Sequence, residues 1–149
     1  MTTTSRRVAG VLLIVMPTVV IGGVSVLSLL VYDPAYEANP LRQDLWRAGH
    51  AHAGVLLILS LVALRYVDET RLGERARWFV RLAFPAAAIL LPVAFFLSVL
   101  DPAATEPNAL VNLAYVGAVV LVAGMITLGA GLVRDRTRTS ADEELSSSR

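Results

Sequence analysis

His50 and His52 are the only imidazoles in the 149-residue chain, and both lie in the run Trp46-Arg47-Ala48-Gly49-His50-Ala51-His52-Ala53-Gly54, at the mouth of an apolar segment. Ionisable side chains inside a bilayer are costly and turn toward a bundle interior or a ligand, so this pair carries the functional question. Residues two apart on a helix diverge by roughly 200°, so the two rings cannot both chelate one small ion, and only one of them faces inward. For His50, the nearer to the surface, a hydrogen bond to a carbonyl or to water stands level with a ligand role. For His52 the ligand role leads. Its neighbours Ala48, Gly49, Ala51, Ala53 and Gly54 are small, which leaves a groove for a neighbouring helix or a slot for a flat ligand. Haem iron needs only one protein donor while its faces pack on apolar side chains. A bare zinc or copper site would need more: there is no cysteine, no third histidine and no carboxylate within a helix. A glycine-rich phosphate loop and a Ser-His-Asp arrangement are also missing.

The elements that must position these rings are membrane helices. At 56% hydrophobic and 17% charged residues, the chain is too apolar for a soluble domain of its size. The pattern predicts an all-α polytopic membrane protein, a four-helix transmembrane bundle over residues 1–133 with spans near 8–32, 48–67, 78–100 and 109–133. Residues 8–32 carry no charge, and at ~1.5 Å per residue they exceed the ~30 Å hydrocarbon core. A cleaved signal peptide is the rival, but the run is too long and no small-x-small site closes it. Pro17 and Gly22-Gly23 within it read as packing features. Residues 33–47 read as an interfacial loop, in which Asn39 and Pro40 form a cap and first turn that start the second helix in the headgroup layer. Pro85 and Pro92 predict two bends in the third span. Gly117, Gly124 and Gly131 form a stripe on the fourth that invites the first helix or a neighbouring protomer. Asn112 and Tyr115 lie level with the histidines, either as helix–helix hydrogen-bonding groups or as the lining of a shared site. The polar segment 134–149 is expected to be a disordered cytoplasmic tail.

Charge gives the orientation. All thirteen basic residues are arginine and the net charge is +1, without the clustered surplus that nucleic acid would require. Arg65, Arg71, Arg75, Arg77 and Arg81 gather around the connection between the second and third spans, and Arg6, Arg7, Arg134, Arg136, Arg138 and Arg149 fall on the same side. Only Arg42 and Arg47 lie opposite. The positive-inside rule then predicts a multi-pass cell-membrane protein with both termini cytoplasmic and the histidine end facing outward. Without cysteine, thiols say nothing about the redox compartment.

The segment from Trp46 to Gly54, with its Ala51-His52-Ala53-Gly54, resembles the second-helix motif of styrene oxide isomerases and the related hydroxylaminobenzene mutases. The four-span architecture, the acidic-proline connection at Asp101-Pro102, and Ala114-Tyr115 followed by Gly117 are similar too. The resemblance implies a homo-oligomer, a trimer in that family, with haem b on His52 and ferric iron acting as a Lewis acid toward an epoxide oxygen. On this reading His52, Gly49, Ala53 and Tyr115 contact the cofactor. Phe96, Asn112 and His50 lie toward a small hydrophobic substrate that enters from the bilayer. The chain departs from the family pattern at Ile58-Leu59, where the family tends to show Asn-Gly, and at Pro92 and Phe96, the nearest equivalents of an Asn and a Tyr beside the haem of the isomerases. These departures touch the isomerase chemistry rather than the haem ligand. The rival reading is a non-catalytic four-helix membrane protein, an accessory subunit or small transporter, whose histidines pack or sense pH. The lack of buried carboxylates argues against proton-coupled transport.

Overall fold

Two Asx-Pro caps in tandem set the end of the bundle nearest the histidine run. Asp33 Oδ1 accepts from the Ala35 and Tyr36 amides at 3.0 and 3.2 Å with Pro34 at the first helical position, and Asn39 Oδ1 accepts from Arg42 N at 3.1 Å with Pro40 in the same role. In the computed structural model these caps open helix α2 (Pro34–Glu37) and helix α3 (Pro40–Val67), between α1 (Thr3–Tyr32) and α4 (Glu74–Ser98). A 3-10 turn, Ala109–Asn112, leads into α5 (Leu113–Ser147). Residues 1–134 are described in full and 135–147 as backbone only, which continues α5, so of the segment expected as a tail the side chains beyond Arg134 and the last two residues lie outside the described ones.

Among the described residues there is no strand, and four helices, of 30, 28, 25 and 26 residues, are long and apolar enough to cross a membrane. The fold class is therefore the expected one. The segment 33–47 differs from expectation: it is mostly helical, because each capping side chain satisfies amides that a loop would leave to water. Helix α4 likewise begins at Glu74, a turn before the predicted 78, and it runs through Pro85 and Pro92 without a break.

Helix α4 is the centre of the bundle: half of its span is buried, against 6% for α1. Helices α3 and α5 flank it and α1 leans on α3, while among the described residues α1 and α5 make no close backbone approach. One core cluster joins Leu12 of α1, Leu56, Leu57 and Leu64 of α3, and Ala87, Ala88 and Leu91 of α4. A second, nearer the α3–α4 connection, joins Ala63, Val67, Val80, Phe84 and Leu128.

The glycine stripe of α5 faces α4, not α1. A Cβ at Gly117 would lie 3.0 Å from Leu91, one at Gly124 2.9 Å from the Ala83 Cβ, and one at Gly131 2.8 Å from Leu72 in the α3–α4 connection. The stripe thus packs within one chain, which corrects the expectation that it meets α1 or a second protomer. Gly124→Leu should accordingly overpack the α4–α5 contact and lower stability by about 1–3 kcal/mol. A melting temperature in mild detergent equal to that of the wild type would contradict that packing.

Candidate functional site

The two histidines leave α3 in different directions, as their spacing requires. His50 is half-buried against α1, where Gly22 and Gly23 make room for it; a Cβ at Gly23 would stand 2.8 Å from both Cε1 and Nε2 of the ring. His52 is exposed on the side toward α4. Its ring meets Phe95 edge-on at 5.3 Å, and its Nδ1 lies 2.7 Å from the Ala48 carbonyl oxygen one turn back. A carbonyl can only accept, so Nδ1 carries the proton of this bond, and in the neutral ring Nε2 then keeps its lone pair. That arrangement fits a metal-ligating histidine, whose second nitrogen is held by a carbonyl or carboxylate.

The other expected residues are not gathered around His52. Gly49 is buried beneath Phe96, whose ring carbons would lie 3.1–3.3 Å from a Cβ there. Ala53 is partly buried on α3. Asn112 and Tyr115 sit exposed on the last turn before α5 and on its start, Tyr115 at 72%, and neither hydrogen-bonds to a histidine among the described residues. No three His, Asp or Glu side chains converge as a metal cluster among the described residues. His52 does share an α3 stripe with Val55, Leu59 and Val62, at i, i+3, i+7 and i+10. The stripe runs into a groove of about 190 Å³ between α3 and α5, which Leu59, Val62, Ala63, Phe84, Met125 and Leu128 line.

Two arginines that count toward topology in the sequence, Arg42 and Arg81, are buried, each within a polar cluster. At the end nearest the histidine run, Arg42 is 5% exposed. Its Nε donates to the Val99 carbonyl at 3.1 Å, and its guanidinium lies 4.7 Å from the Trp46 ring centre and 5.8 Å from that of Tyr36. Asn108 takes the two preceding carbonyls of the α4 terminus, Leu97 through its side chain at 3.0 Å and Ser98 through its backbone N–H at 2.9 Å. Asn39 Nδ2 donates to the carbonyls of Pro102 and Ala104, both at 3.0 Å.

At the opposite end, Asp68 and Arg81 form a buried pair, Nη2 to Oδ1 3.0 Å, with side chains 5% and 2% exposed. Ser5 Oγ donates to Asp68 Oδ1 at 2.9 Å, Arg81 Nε donates to Ser5 Oγ at 3.1 Å, and Arg81 Nη1 reaches Glu74 at 3.1 Å. The Thr2 amide and hydroxyl complete the ring of donors around the carboxylate. No sequence signal marks this cluster, since Ser5 and Arg81 are 76 residues apart.

Comparison with protein families, curated proteins and solved structures finds no match to this chain.

Burial alone would push the Asp68 carboxyl up, but the Thr2 amide, the Arg81 guanidinium and the Ser5 and Thr2 hydroxyls outweigh it and hold the group below the usual carboxylate range. A carboxyl whose pKa is lower in the folded than in the unfolded state stabilises the fold fully above the unfolded value of about 3.9. That contribution is lost as pH falls through the folded value. Asp68→Asn should therefore cost about 3 kcal/mol near neutral pH, because the buried Arg81 would keep only the solvent-exposed Glu74 as counter-charge, and should flatten the acid limb of the stability profile. Melting curves from pH 3 to pH 7 in detergent measure both; a variant with the wild-type acid limb would show that Asp68 does not carry it.

Proposed function

We propose that the protein binds haem b through His52 and rearranges a small hydrophobic substrate of epoxide or hydroxylamine type taken from the bilayer. The observation that carries this reading is the state of the His52 ring, with Nδ1–H held by the Ala48 carbonyl and Nε2 open on the surface of α3. Haem, when bound, supplies an iron Lewis acid for such a rearrangement. The chain's own residues supply the rest: Ala48 fixes the ring, Phe95 packs its flank, and Ala53 keeps the next turn low. Gly49 and Phe96 form the packed wall beneath. The apolar groove that continues the His52 stripe offers a route from the lipid. The likeness to the isomerases and mutases adds a homo-oligomer, a trimer in that family, whose neighbouring copy covers the exposed ring and supplies the wall that Tyr115 and Asn112 do not. His50 has a structural role on this reading, since its open nitrogen abuts α1.

Four apolar helices are compatible with membrane insertion. We further propose that the termini are cytoplasmic, which rests on the eleven-to-two division of the arginines.

Protein purified in mild detergent after expression with ample haem should show a Soret band and an oligomeric mass. His52→Ala should lose the band and His50→Ala keep most of it, because the rings point to different sides of α3. Colourless wild-type protein that takes up no haem on titration would leave the non-catalytic alternative, and a monomeric mass would remove the neighbouring copy from the site. For the orientation, a reporter active only outside the cytoplasm should be silent at the C-terminus; activity there would reverse the assignment.

A further inference from the structure

Arg42 is a buried cation without an anion. Among the described residues it makes no ion pair with a carboxylate, and the neighbouring Glu37 and Asp44 are exposed to solvent. Its Nε is committed to the Val99 carbonyl, and two aromatic rings flank the guanidinium. The Tyr36 and Trp46 rings lie 5.7 Å apart, and Phe96 closes on Trp46 edge-on at 5.9 Å. The two rings that flank the cation carry the two unpartnered donors of the cluster. Tyr36 is 0% exposed with no partner for its hydroxyl, and Trp46 Nε1 is buried without one. Buried polar groups are nearly always hydrogen-bonded, and a buried charge without a counter-charge is costlier still. Cation–π contact of about 0.5–2 kcal/mol offsets only part of that cost.

We infer that Arg42, Tyr36 and Trp46 form a binding site for a phosphate-type oxyanion at this end of the bundle, supplied by a phospholipid headgroup or by free phosphate. The cluster presents N–H and O–H donors and a positive charge, and the Val99 carbonyl beside it is already used. That composition suits an oxygen anion, which accepts from several donors and neutralises the guanidinium. A water molecule could meet the two neutral donors but would leave the charge uncompensated. Burial pushes the Tyr36 phenol above its ordinary value, so it stays protonated as a donor at neutral pH. A depression of about 500 Å³ opens over the α2–α3 junction, lined by Ala35, Ala38, Asn39, Pro40 and Leu41 and by the loop after α4; Arg42, Tyr36 and Trp46 do not line it, and it would have to deepen to admit the anion. Residues 35 and 41 adjoin Tyr36 and Arg42 in the chain. The anion would sit between the α3 start and the α4 terminus, and hold together the elements that Arg42 already bridges.

The test uses the full chain in a maltoside detergent, free of phosphate. Melting temperature is followed while phosphatidylglycerol is titrated in and, separately, while sodium phosphate replaces sodium chloride at constant ionic strength; native mass spectrometry counts retained phospholipid. Wild-type protein should be stabilised in one arm or both. Stabilisation by lipid with retained phospholipid identifies the headgroup as the source, and stabilisation by phosphate alone identifies the free anion. Arg42→Gln should abolish the effect, but it also touches the α4 terminus, so Tyr36→Phe is the decisive variant. Removal of a hydroxyl that is unpartnered without ligand should leave the ligand-free melting temperature unchanged or raised. The same change should weaken the apparent affinity about tenfold, as for one hydrogen bond to a charged group. Absence of stabilisation in both arms, or wild-type affinity in Tyr36→Phe, would overturn the site.

Discussion

A helix that ends inside or beside a bilayer leaves carbonyls and amides that water does not reach, and the way this chain covers them sets the rest of the fold. The last three carbonyls of the α4 end, at Leu97, Ser98 and Val99, are each taken by a donor from elsewhere, two of them by Asn108 and one by Arg42. Because Arg42 comes from the first turn of α3, satisfying the α4 terminus also fixes where α3 begins. Asn39 ties the same junction to the loop that follows α4. At the other end the Asp68 carboxylate gathers Thr2, Ser5 and Arg81, which draws the start of α1 onto the ends of α3 and α4. Helix α1, the least buried of the four, is thus held by its polar terminus as well as by apolar contact.

Between these two polar ends the helices approach through seats made of glycine. Gly23 admits the His50 ring, Gly49 admits Phe96, and Gly117, Gly124 and Gly131 admit the Leu91, Ala83 and Leu72 side chains. Lipid tails are as apolar as leucine, so the gain from close packing, rather than exclusion of water, must hold these contacts. A side chain at any of these positions would displace a specific neighbour. The cofactor reading and the fold meet at one such seat, since the wall behind the histidine run is the Gly49–Phe96 contact.

Long uncharged apolar runs made the spans plain from sequence, and the Asn39-Pro40 pair announced the start of α3 because capping is local chemistry. Likewise the helical period alone told that His50 and His52 part company. The rest depended on partners remote in the chain. Arg42 and Arg81 count toward a charge balance in sequence, yet both are buried, the first on a carbonyl 57 residues away and the second on a serine 76 residues away. The glycine stripe of α5 was visible as a packing surface, but its partner was not, since small residues state that something approaches closely and not what. For the same reason Asn112 and Tyr115, level with the histidines by residue counting, prove to be exposed on another helix. Depth in a membrane can be counted along a chain, whereas rotation about each helix axis is settled by packing.

Rotation also decides which histidine could serve a ligand. The Nε2 of His50 points at the backbone of Gly23, so close that not even a methyl group would fit between them. That side of the ring is closed to an ion while α1 stays on α3. The His52 Nε2 meets no such wall, and the bond from Nδ1 to Ala48 prevents the ring from turning its other nitrogen outward without breaking a hydrogen bond of 2.7 Å. Ring and tautomer are therefore set before any ligand arrives, and the ordering cost that a free imidazole would bear on binding is already met by the helix itself. The glycines that seat His50 and the carbonyl that holds His52 assign the two rings different work, although only one alanine separates them.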